Sequence, residues 1–116
     1  MSKSLFVIRS ETVEKILQFR NDRNWLQFHN PKDLTISLSL EASELWSFQW
    51  SGSDTEVVKK RQAMVEELSD ILIYAVLMAD RLQIDMDQAI LEKLKINAQK
   101  YPIEKSFGHS EKYNEL

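Results

Sequence analysis

Apolar residues recur at helical spacing through most of the chain, and the polar clusters between them mark out four helices. The first runs from about Glu11 to Asn21, with Ser10 as its cap and Val13, Ile16 and Leu17 as its apolar stripe. A connection from Asp22 to His29 carries Trp25 and Phe28. Asn30 followed by Pro31 is a strong start signal for the second helix, because proline fits the first helical position and asparagine caps it. This helix is expected to reach about Trp50 and stop at Ser51-Gly52. Ser53-x-x-Glu56 reads as a capping box opening a long third helix that ends near Leu82. Asp85-x-x-Gln88 opens a fourth, which must finish before Tyr101-Pro102. From about 103 a polar tail follows, anchored by Phe107 and Tyr113. The pattern predicts an all-α, four-helix-bundle-like protomer, with residues 1–116 forming a single domain.

Two of these helices carry too much apolar surface for an outer layer. On the second, Leu34, Leu38 and Leu45 share one side while Ile36 and Leu40 lie nearly opposite. On the third, Ile71 to Met78 is apolar all round. A helix of that kind belongs inside something, so a homodimer or homotetramer is expected. Composition narrows the choices further. Two glycines and two prolines in 116 residues leave little turn chemistry for a β-sandwich or a glycine-rich nucleotide fold. A net charge of −3 speaks against nucleic acid as a partner, since duplex binding depends on neutralising phosphates. There is no cysteine, hence no disulfide and no thiolate metal site. The stretch before Arg9 is too short for a signal peptide, and Ile71–Ala79, bounded by Asp70 and Asp80, is too short to span a membrane. The expectation is a soluble cytoplasmic domain.

The chemistry lies in a repeated acidic motif. Glu41-x-x-Glu44 falls on the second helix and Glu67-x-x-Asp70 on the third. At ~100° per residue, Glu41 lies within the Leu38–Leu45 stripe and Glu67 among Met64, Ile71, Ala75 and Met78. Glu44 and Asp70 each sit ~60° further round. A carboxylate among leucines is costly unless a positive charge compensates it, and neither stripe contains Lys or Arg. Four facing oxygen ligands suit a hard cation, Mg²⁺ or Mn²⁺. A di-iron site would want Glu-x-x-His pairs, which His29 and His109 are not placed to supply. One geometric condition applies. A simple fold-back at Ser51–Ser53 would leave the two motifs offset by ~10 Å, so residues 54–60 must form a loop, a bend or a separate short helix. The competing reading is a non-catalytic helical dimerisation module whose acids are solvated or hold a structural metal.

These acids, 22 residues apart, resemble the metal signature of the MazG-like all-α nucleotide pyrophosphohydrolases, and most closely the short dCTP pyrophosphatase-like branch. Trp25-Leu26-Gln27-Phe28-His29-Asn30-Pro31, Phe48-Gln49-Trp50 and Glu66 to Tyr74 agree with that branch, as do Lys93, Asn97, Lys100, Tyr101-Pro102 and Lys112-Tyr113. The resemblance implies a helical homo-oligomer that cleaves nucleoside triphosphates between the α- and β-phosphates, releasing a monophosphate and pyrophosphate, and removes unwanted nucleotides. It implies Mg²⁺ held by Glu41, Glu44, Glu67 and Asp70, with Glu66 a weaker candidate and the general base unassigned. Lys93, Asn97, Lys100 and Tyr101 share one helix face and would clamp the triphosphate. Trp25, His29 and Trp50 would hold the base, with dCTP or a modified pyrimidine as substrate; dUTP, a purine or phosphoribosyl-ATP are alternatives. The spacing from Glu44 to Trp50 is one residue shorter than the branch's, which turns Trp50 by ~100° on a regular helix.

Overall fold

A computed structural model describes residues 8–48 and 53–115, and every regular element among them is helical. The chain divides into two compact units, Met1–Gln83 and Ile84–Leu116.

In the first unit, α1 (Ser10–Asp22) leads through a left-handed Asn24 into a 3₁₀ turn at Trp25–Phe28. Asparagine tolerates that backbone better than most residues, so the chain reverses here without glycine. The long helix α2 (Pro31–Ser47) begins as the sequence predicts, with the Asn30 side chain accepting a hydrogen bond from the Asp33 N–H at 2.9 Å. It ends at Ser47 with Phe48 as cap, short of the expected Trp50, which lies outside the described residues. The predicted third helix is in fact two: α3 (Asp54–Lys59) and α4 (Arg61–Leu82), separated at Lys60, whose backbone leaves helical geometry. This break satisfies the condition set by the ~10 Å offset of the acidic motifs. The Glu56 end of the capping box is not among the described side chains.

Packing is built on α4. Helix α2 packs extensively against it and α1 more lightly. Leu34 of α2, at 1% exposure, and Leu77 of α4, at 5%, are the buried apolar side chains among the described residues. The third buried residue is Arg20 of α1. On the far side of α2, Ile36 and Leu40 are exposed, as the two-sided pattern of that helix predicts, and Trp46, between the two sides, is exposed as well.

The second unit contains α5 (Met86–Lys100), α6 (Ile103–Ser106) and a 3₁₀ turn at Tyr113–Glu115. Asp85 caps α5 by accepting from the Gln88 N–H at 3.2 Å, and Tyr101-Pro102 ends the helix, both as read from sequence. The tail is more ordered than a polar tail implies, since α6 follows Pro102 and Tyr113 packs edge-on against Tyr101. No helix among the described residues is long and apolar enough to cross a membrane.

Candidate metal and nucleotide site

The register of α2 against α4 decides the site. Pairing the leucine stripes of these helices carries along the carboxylates that share those stripes. Glu41 from α2 and Glu67 and Asp70 from α4 each offer an oxygen within 4.8 Å of the others, and all three are half-buried. Glu44, more exposed, reaches the same cluster through Glu67. Glu66, on the adjoining face, is exposed.

Like charges this close cannot all remain ionised without compensation. The Glu44 carboxyl is held above its ordinary range first by sharing a proton with Glu67, then by the Glu67 charge and by burial. Glu67 is also raised, chiefly by proton sharing with Glu41 and then by burial. Its Oε2 is buried, and no hydrogen-bond donor among the described residues reaches it. An orphaned carboxylate oxygen inside an all-oxygen cluster fits a hard divalent cation.

Asp70 has a second neighbourhood. It borders a pocket of about 370 Å³ between α1 and α4, walled by Ile16, Phe19, Trp25, Ile73 and Leu77. Thr12, Lys15, Arg20, His29 and Tyr74 add polar groups. Apolar walls with a few polar groups, beside an acidic cluster, make the usual form of a small-molecule site. Local contacts shape one wall: the Phe19 and Trp25 rings meet edge to face at 5.8 Å, and the Arg23 guanidinium lies 3.5 Å from the Phe19 ring centroid. The His29 imidazole is held below its usual range by burial and, secondarily, by the Arg20 charge.

The structure thus brings together all four predicted acids and places Trp25 and His29 in the adjoining pocket. Lys93, Asn97, Lys100 and Tyr101 belong to the second unit, where Asn97 is half-buried and the Lys100 ammonium lies 5.0 Å from the Tyr113 ring centroid. Sequence reasoning missed Arg20, its partner Asp80, and the lining residues Lys15 and Tyr74. A signal for the first two was present. Arg20 follows Val13, Ile16 and Leu17 at seven, four and three residues, and Asp80 follows Ile73, Val76 and Leu77 at the same intervals. Both are charges in phase with an apolar stripe, the criterion that singled out Glu41.

Comparison with known proteins decides the lineage. The sequence pattern of the MazG-like family matches residues 36–116, a span that includes all four acids. The chain belongs to the MazG-like family. This MazG-like chain is 43% identical over 106 residues to the dCTP pyrophosphatase 1 of Mus musculus and 40% identical over 105 residues to that of Homo sapiens. Each alignment covers 85% of the chain but 62% of the relative, so the chain spans less than two thirds of those curated proteins. Among solved structures, a pyrophosphatase from Archaeoglobus fulgidus superposes with a TM-score of 0.75 at 32% identity, covering 86% of this chain and 99% of that one.

Proposed function

We propose that this MazG-like chain, acting as one domain over residues 1–116, hydrolyses (deoxy)nucleoside triphosphates between the α- and β-phosphates, yielding a monophosphate and pyrophosphate. The observation that carries the reading is the convergence of Glu41, Glu67 and Asp70 within 4.8 Å, with Asp70 shared by an apolar-walled pocket of about 370 Å³. Glu41, Glu44, Glu67 and Asp70 would hold Mg²⁺, with Mn²⁺ an acceptable substitute. Bound there, the ion would neutralise phosphate charge and acidify the attacking water. The chain supplies the rest. Trp25, Phe19 and the aliphatic walls exclude solvent around the base and orient the phosphates toward the acids. A carboxylate of the cluster accepts the proton of the attacking water as its oxygen bonds to phosphorus and the α–β anhydride bond breaks. Lys93, Asn97, Lys100 and Tyr101 are proposed to steady the triphosphate, and Trp50 to contribute to the base site. The curated relatives are dCTP pyrophosphatases, which supports dCTP as the substrate. A modified pyrimidine deoxynucleotide as the other substrate, and clearance of unwanted nucleotides as the role, belong to the same proposal.

The direct test is product analysis. With Mg²⁺ and a panel of deoxynucleoside triphosphates, the expected products are pyrophosphate and a nucleoside monophosphate in equal amounts. Orthophosphate as the first product would overturn the α–β assignment. Absence of turnover by the folded, Mg²⁺-loaded protein would favour a binding module.

Assembly belongs to the same proposal. Ile36 and Leu40 leave the outer face of α2 apolar and open, an arrangement a homodimer or homotetramer would cover. Light scattering is expected to give two or four times the 13.6 kDa chain mass, and a monomer at micromolar concentration would refute this.

A further inference from the structure

Arg20 is the single buried charged residue among those described, at 6% exposure, and it forms part of the pocket lining. Its Nη1 donates to Asp80 Oδ2 at 2.7 Å and its Nε to Asn21 Oδ1 at 3.0 Å. These two bonds fix the guanidinium plane at two corners, and Nη2 takes part in neither. A charge buried only for packing is hard to explain, because replacing such a pair with apolar residues of similar volume is often neutral or stabilising. His29 presents an unsatisfied group in the same lining: its Nδ1 is buried with no hydrogen-bond partner among the described residues.

We propose that Arg20 is a base-reading residue, its Nη2 donating to a ring carbonyl oxygen of the nucleotide held in the pocket, and that Asp80 is the positioning residue that aims it. The proposal rests on the pyrophosphohydrolase reading above and adds a selection rule to it. Asp80 balances the guanidinium charge, so the group is a weak anion clamp, while its N–H donors keep their direction. The pocket's apolar walls, Ile16, Phe19, Trp25, Ile73 and Leu77, suit a planar ring. Cytosine, thymine, uracil and guanine carry a ring carbonyl, and adenine does not. A site built to satisfy a buried donor rejects a ligand lacking the acceptor, because the donor is then stripped of water with nothing in return. The pocket therefore selects against adenine.

The test separates binding from chemistry. Calorimetric binding of dCMP, dTMP, dGMP and dAMP to the full chain reads the pocket alone, and pyrophosphate release from the four triphosphates with Mg²⁺ reads the reaction. Wild type is expected to favour the best carbonyl-bearing nucleotide over the adenine one, and Arg20→Met to shrink that ratio by ~10- to 100-fold. Asp80 is 32% exposed in its side chain, so it can hydrate when Arg20 is replaced. The double variant Arg20→Met/Asp80→Leu removes the remaining charge and is expected to recover thermal stability without recovering the ratio. Arg20→Lys, lacking the planar fork, also fails to restore it. An unchanged ratio in Arg20→Met, or a ratio that returns together with stability in the double variant, would overturn the proposal. Intact base preference in binding with no pyrophosphate from any triphosphate would instead overturn the enzymatic reading and leave the role of Arg20 standing.

Discussion

Glu67→Gln is expected to lower kcat/KM for pyrophosphate release by ~10²- to 10³-fold, the scale for losing several kcal/mol of transition-state charge stabilisation. The helices should remain folded. Glutamine keeps the shape of glutamate and removes one charge from a cluster whose members already crowd one another. Its amide also brings donors to a position where Oε2 of Glu67 finds none among the described residues. Metal-free Glu67→Gln should therefore melt at or above the wild-type temperature at neutral pH. Steady-state kinetics beside a thermal melt in chelator checks both halves. A variant that loses activity and fold together would show that Glu67 holds the structure up, contrary to the metal-site reading.

The same substitution exposes a pH dependence of defined sign. Glu44 and Glu67 both have folded-state pKa values raised above the ordinary 4.5. A raised folded value means that the native state binds these protons more tightly than the unfolded chain does. The resulting stabilisation is complete below pH 4.5 and is lost as pH rises through the folded values. Metal-free wild type should thus gain stability relative to Glu67→Gln on acidification, and the gap between their melting temperatures should narrow as pH falls toward 4.5. His29 runs the other way: its lowered value penalises the folded state as pH falls past 6.5. Because His29 is present in both proteins, it cancels from the difference. At neutral pH, Mg²⁺ at 100 times its Kd should stabilise wild type by about 2.7 kcal/mol and the variant by less. A melting-temperature difference independent of both pH and Mg²⁺ would refute the cluster as a charge-strained cation site.

How much of this was legible in the sequence depends on whether the signal was local. Asn30-Pro31 specified the start of α2 because cap and first-turn preferences are settled within four residues. The acids were legible because a charge in an apolar stripe is a conflict visible from periodicity alone. That a break falls within residues 54–60 was legible from the offset of the two motifs, but its place at Lys60 was not, since lysine is a good helix former and neither glycine nor proline marks the break between α3 and α4. The break follows from tertiary packing, which holds α4 in register with α2 whatever the propensity at one position. The Arg20–Asp80 pair spans 60 positions, and no local rule joins residues that far apart. Each residue alone violated its stripe, but which violation answers which is fixed only when α1 lies against α4. The pocket is hidden from sequence for the same reason, since its walls come from two helices and the turn after the first.

The break at Lys60 also bears on how the chain tolerates change in length. Were the return from α2 one uninterrupted helix, each added residue would rotate Glu67 and Asp70 by ~100° and carry them ~1.5 Å along the axis. Ending the phase relation at Lys60 removes that constraint, so residues between Phe48 and Arg61 can be inserted or lost without turning the acids away from Glu41. Lengthening such a connection costs little, ~0.6 kcal/mol for each doubling. The register of the acids and the spacing of the chain are thereby made independent, and the region just before α4 becomes a natural place for length to vary while the same four acids stay together.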